Sequence, residues 1–188
     1  MSIPNILNQI LEREGWPAYT EHPNDKGGPT KGGITLRTLE NWRGRRCTRA
    51  ELKRLQEEEA LAILRRRYVE VQGINTLSDG DLQEQVIDDG VLSGPQTAVK
   101  DLQRAIRGKL KIDGIIGPKT NAAIARLSPE VVGRRMAVER ALRLARIVAK
   151  EPDQAVFLVG WLTRALSFVR EPRLGGSHAS GRVTYQRA

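Results

Sequence analysis

The chain has 188 residues, 39% hydrophobic and 28% charged, with a formal net charge of +9. That length allows one compact domain, or a domain with a small appended module, and excludes two large domains; the composition excludes wholesale disorder. The single cysteine, Cys47, rules out an intramolecular disulfide, and His22 and His178 are too few for a His-rich zinc site. No calcium loop or H-E-x-x-H pattern is present, so no metal or cofactor is expected.

The charge is unevenly divided. Residues 1–95 hold 13 Lys/Arg against 15 Asp/Glu, a balance of −2, and residues 96–188 hold 18 against 7, a balance of +11. A basic half of this kind either keeps a protein soluble or meets an anionic partner. No nucleic-acid motif accompanies the charge, so nucleic acid is not the expected partner.

In chain order, Ile3, Ile6, Leu7, Ile10 and Leu11 have the spacing of a helix with one buried face, and Gly15 is its natural stop. Residues 16–35 carry no period, are rich in Gly and Pro, and read as a long shaped loop or a small β-hairpin. Helices are predicted over 36–43, after Thr48 with a Thr48/Glu51 capping box, over 57–71, 81–92 and 96–107. KIDGIIGPKT makes a turn, Pro118 opens a helix to 127, Ser128-Pro129 starts one to Lys150, and Asp153 caps a last one to Val169. The Gly-, Ser- and Arg-rich residues 171–188 read as a flexible tail. The fold class is all-α, with a small hairpin near 16–35. The N-terminus lacks the features of a signal peptide and the apolar run Ala155–Leu162 is too short to span a bilayer. A chain made and held in the cytoplasm, and a monomer, is expected.

One more turn of the α-period after Ile10/Leu11 lands on Glu14, so this carboxylate is expected to point along the apolar face at the negative end of the helix dipole. Both effects would suit a general acid; the alternative is an amphipathic-helix edge residue whose head reaches water. The loop that follows supplies Asp25 and Thr30, able to hold a water, or serving only as an Asx-turn and a backbone cap. Trp16 and Tyr19 lie beside the acid and either stack on sugar rings or pack in the core.

A helix-end Glu followed by a loop Asp and Thr resembles phage-type lysozymes. More closely, EGWPAYTEHPNDKGGPTKGGIT resembles the signature of glycoside hydrolase family 108, with its E-G-G-Y segment, N-D-x-G-G-x-T and G-I-T. EEEALAILRRRYVE, VIDDGVLSGPQTAVKDLQRAI and FLVGWLTRAL continue the resemblance from about residue 7 to about 166. Trp16 stands at the family's second glycine, the spacer after Glu14 is longer by about two residues, Leu92 replaces a usual Asn, and the Tyr-Trp pair reads Tyr68-Val69. The resemblance implies a lysozyme-like helical domain that hydrolyses the β-1,4 bonds of bacterial peptidoglycan, with Glu14 as general acid. Asp25 and Thr30 would hold the water, with Glu21 as the alternative second carboxylate, and Trp16, Tyr19, Tyr68 and Asp88 would bind substrate.

Residues 102–127 resemble a small helical peptidoglycan-binding motif, lining a groove or only packing two helices. The implied organisation is a catalytic region over 1–95, a peptidoglycan-binding-like region over 96–170 packed on it, and the tail. Arg140, Arg143, Arg146 and Lys150 share one helix face and form either a solvated stripe or a dock for an anionic envelope surface. As an endolysin the protein would wait in the host cytoplasm for a separate partner such as a holin and then act at the cell wall. The alternative is a non-catalytic envelope-binding or morphogenesis protein of the same fold.

Overall fold

The computed structural model describes residues 2–21 and 28–169; Asp25 and the predicted tail lie outside these residues. Helix α1 (Ile3–Arg13) buries Ile6, Leu7, Ile10 and Leu11, the face its spacing predicts. A three-stranded antiparallel sheet follows, β1 (Tyr19–Thr20), β2 (Thr30–Lys31) and β3 (Ile34–Thr35), in the order β1-β2-β3. The β2–β3 loop is the two residues Gly32-Gly33, both with positive φ (52° and 74°), as a type I′ hairpin turn requires.

Helix α2 (Leu36–Arg43) is capped by the Thr35 hydroxyl and ends on left-handed Gly44. Helix α3 (Arg49–Lys53) starts with the expected capping box between Thr48 and Glu51. Helix α4 (Glu57–Arg65) does not run unbroken to Val71: it passes into a π-helical turn over Arg66–Glu70, which carries Tyr68 partly outward and buries Val69 completely.

The remaining helices form the larger packed layer: α5 (Gly80–Ser93), α6 (Pro95–Ile106), α7 (Pro118–Ile124), α8 (Pro129–Lys150) and α9 (Ala155–Leu166). Helix α6 turns Val99, Leu102 and Ile106 inward as predicted. Asp153 does not cap the last helix; it sits in a 3-10 turn over Pro152–Gln154, and α9 begins after it. The turn after α6 is fastened to that helix. The Asp113 carboxylate accepts hydrogen bonds from Gln103 (2.9 Å) and from the Ile115 N–H (3.0 Å), while the Gly114 N–H donates to Gln103 Oε1 (2.9 Å).

The helical layer is tied by a buried charge network. Arg140, 1% exposed, donates to Asp88 (3.0 Å) and pairs with Asp89 (3.1 Å). Arg143 donates to Asp89 (2.7 Å) and Asp101 (2.6 Å), and Arg164 to Asp88 (2.6 Å). Four helices, α5, α6, α8 and α9, are therefore joined through three buried carboxylates. Burial pushes the Asp89 carboxyl up, against the pull of Arg140 and Arg143.

This corrects the expected basic stripe: Arg140 and Arg143 point into the molecule, and only Arg146 and Lys150 of the four are exposed. Asp88, a substrate-binding candidate from the sequence, is a packing hub here: its oxygens accept from Arg140 and Arg164, with Arg13 of α1 at 3.7 Å.

Removing one partner from such a network leaves buried charge uncompensated. Arg143→Met is expected to lower the unfolding free energy by about 3 kcal/mol or more. Arg146→Gln, on the exposed side of the same helix, is expected to change it by less than about 0.5 kcal/mol. Urea denaturation of the two variants checks this, and equal effects would contradict it.

Candidate active site

The site is built around the end of α1. The helix stops at Arg13 because Gly15 adopts φ +81°, and two hydrogen bonds close the end: Gly15 N–H to the Glu12 carbonyl (3.0 Å) and Trp16 N–H to the Leu11 carbonyl (3.1 Å). This is the Schellman pattern, in which the residue two past the cap packs back on the last turn. Glu14 is thus the C-cap, outside the helix proper, and its side chain is exposed. The expectation of an inward, buried Glu14 is overturned, since the periodicity that aims it inward ends one residue too early.

What surrounds Glu14 is the hairpin. A Cβ on Gly33 would lie 2.6 Å from Glu14 Oε2 and 3.1 Å from its Cβ and Cγ; one on Gly32 would lie 2.6 Å from the Trp16 ring. The two glycines therefore answer two demands at once: the positive φ of the turn, and bare backbone against which Glu14 and Trp16 lie. The hairpin is held from the other side by Lys31, whose ammonium donates to the carbonyls of Lys53 and Leu55 (2.8 Å each) and sits 4.9 Å from the Trp16 ring centroid. Sequence reading missed Lys31 and the Gly33–Glu14 contact, although K-G-G-I is a two-residue hairpin signal that could have suggested the turn.

The aromatic residues are brought to this neighbourhood but are partly covered. Trp16 and Tyr19 are half-buried and packed against the core. Tyr19 has Lys53 at 4.7 Å from its ring centroid and donates its hydroxyl to Glu21 (2.8 Å). Tyr68 is half-buried with Arg67 beside its ring at 5.2 Å; burial pushes its hydroxyl up, and so does the charge of Glu14, which places the two groups within electrostatic reach.

The Thr30 hydroxyl is 2.8 Å from that of Thr20, across the β1–β2 pair. Glu21 is tied by Tyr19 and by Arg49 (2.7 Å), and these two hydrogen bonds hold its carboxyl below the usual range. A carboxylate so engaged stays ionised and is unsuited to donating a proton. Among the described residues no group of three or more His, Cys, Asp or Glu could hold a metal ion.

Gly33→Ala separates contact from strain. Like Gly44→Ala, at φ +66° with nothing within 4 Å, it should lose about 1–2 kcal/mol of stability to left-handed backbone. With Glu14 as the general acid that the family resemblance implies, only Gly33→Ala, which displaces it, should also lower peptidoglycan turnover, by about tenfold or more for an ångström of misplacement. Melting curves and a turnover assay on both variants check this.

Comparison with known proteins places the chain. The Glycosyl hydrolase 108 family model matches residues 7–94, and the model described as Predicted Peptidoglycan domain matches residues 97–166. The solved structure of SagA from Brucella abortus is similar at 30% identity with a TM-score of 0.65, the match covering 90% of this chain and 97% of that one. No curated protein sequence matches. The two family models follow one another along the chain and the similar solved structure spans both, and the chain belongs to the glycosyl hydrolase 108 family.

Proposed function

We propose that the protein is an N-acetylmuramidase of the endolysin type, cleaving the β-1,4 glycosidic bonds of peptidoglycan with Glu14 as general acid. The observation that carries the reading is the contact of the Glu14 carboxylate with the bare backbone of Gly33, next to the Gly32 backbone on which Trp16 lies. A family of glycoside hydrolases supplies the reaction class, and the following peptidoglycan domain supplies the polymer.

In this reading Glu14 protonates the glycosidic oxygen as the C–O bond breaks, and a water attacks the sugar carbon with its proton passing to a second group. Because Glu14 is exposed in the free chain, the dry surroundings that make proton donation effective come from the sugar covering it. Asp25 and Thr30 are the water-holding pair. Thr30 lies on β2 in the hairpin whose tip touches Glu14, and its hydroxyl shares a hydrogen bond with Thr20 that a water could take over. Glu21 is the alternative second carboxylate, disfavoured by its engagement with Tyr19 and Arg49. Trp16, Tyr19 and Tyr68 offer ring edges to the sugars. Release from the host cytoplasm by a separate partner such as a holin, followed by lysis from the wall side, completes the proposed role.

Glu14→Gln should fold as the parent does and lose wall clearing by on the order of 10²–10⁴ in rate. A folded variant that clears walls at more than half the parent rate would remove Glu14 from the mechanism; a parent chain that binds peptidoglycan without clearing it would make the protein a binder of the same fold.

Asp25→Asn and Thr30→Val should lower turnover far more than binding, because the contact matters mainly in the transition state. Normal turnover in Asp25→Asn with a collapse in Glu21→Gln would transfer the second role to Glu21. Turnover and pull-down on purified peptidoglycan measure both quantities.

A further inference from the structure

Helix α8 buries Val132, Met136, Ala137 and Leu144 together with Arg140 on its inner side, yet leaves further apolar residues on its outer side. Its arginines at 140 and 143 face the interior, while Val138, Leu142, Ala145 and Ala149, at spacings of four, three and four, form an exposed apolar stripe. Helix α9, its packed neighbour, repeats the feature. Of its 12 residues only Arg164 is charged, and that guanidinium is turned to Asp88. Its outer side is Val156 (79% exposed), Val159 (77% exposed), Thr163 and Leu166, with the exposed Phe157 ring stacked on Trp161 at 5.7 Å. A solvent-facing helix side of this length without a charge needs a partner.

The rim identifies the partner's chemistry. Arg146 and Lys150 lie exposed beside the α8 stripe, and the sequence after α9, residues 170–188, adds four arginines against one glutamate. A second copy of the chain would bring a basic rim against a basic rim, which like-charge repulsion disfavours. An apolar strip with aromatic residues and a cationic border is instead the composition of a helix lying in a membrane interface. Helix α9, at 12 residues, is far short of the ~20 needed to cross a bilayer, and among the described residues no helix is long and apolar enough to do so.

We propose that the outer faces of α8 and α9 form a docking surface for an anionic lipid membrane, on which the helices lie in the headgroup plane. The surface is separate from the Glu14 hairpin, so docking would hold the chain at a lipid surface without using the groups that act on glycan.

Flotation of the full chain with vesicles tests this. The parent chain is expected to float with phosphatidylglycerol-containing vesicles and to stay in the buffer with pure phosphatidylcholine. Val156→Asp combined with Val159→Asp, both exposed and so harmless to folding, should reduce the bound fraction about tenfold or more, from lost apolar burial. Arg146→Gln with Lys150→Gln should reduce it roughly tenfold on anionic vesicles only. Unchanged melting curves and unchanged cleavage of soluble glycan fragments exclude misfolding. A folded parent chain that does not float with anionic vesicles overturns the proposal, as does an aspartate variant that floats like the parent. Sedimentation velocity showing a dimer that Val159→Asp dissociates would also overturn it, by giving the face to a second copy.

Discussion

Three buried aspartates, Asp88, Asp89 and Asp101, set the arrangement of the helical layer. Burying carboxylates is costly unless guanidinium groups meet them with good geometry. The structure supplies Arg140 and Arg143 from α8 and Arg164 from α9 at 2.6–3.1 Å. Because each arginine must reach a particular carboxylate, the network fixes which way α8 and α9 are rotated about their axes. The same rotation buries Val132, Met136, Ala137 and Leu144 of α8 and leaves Val138 and Leu142 of α8, with Val156 and Val159 of α9, on the outside. Buried charge and exposed apolar surface are thus two sides of one constraint. Through Arg13, 3.7 Å from Asp88, the network also borders α1, the helix that ends at Glu14.

The Glu14 side of the molecule rests on backbone geometry more than on charge. Gly15 ends α1 and folds Trp16 back onto Leu11, while Gly32 and Gly33 turn the hairpin and leave no side chain where Glu14 and Trp16 need to lie. Lys31 pins the hairpin to the carbonyls of Lys53 and Leu55. Each part is local, and together they hold the Glu14 carboxylate and the Trp16 ring against the hairpin turn.

Much of this was legible in the sequence because it depends on near neighbours. The apolar spacing of α1, the capping box at Thr48, the proline starts of α7 and α8 and the turn-rich character of 16–35 all follow from residues within a few positions of one another. The family motifs around Glu14 were legible for the same reason. Two features were not. Helical spacing states that Arg140 and Arg143 share a face, not which way that face points, and their partners lie 42–54 residues away. Periodicity likewise continues on paper past the residue where the helix stops, so Glu14 was aimed inward although Gly15 had already ended the helix.

The most direct test of the account is the chemical identity of the ends formed when the chain digests purified peptidoglycan. Mass spectrometry should find new N-acetylmuramic acid reducing ends with the parent chain and none above background with Glu14→Gln. New N-acetylglucosamine reducing ends, or freed stem peptides with no new reducing ends, would contradict a Glu14-dependent muramidase.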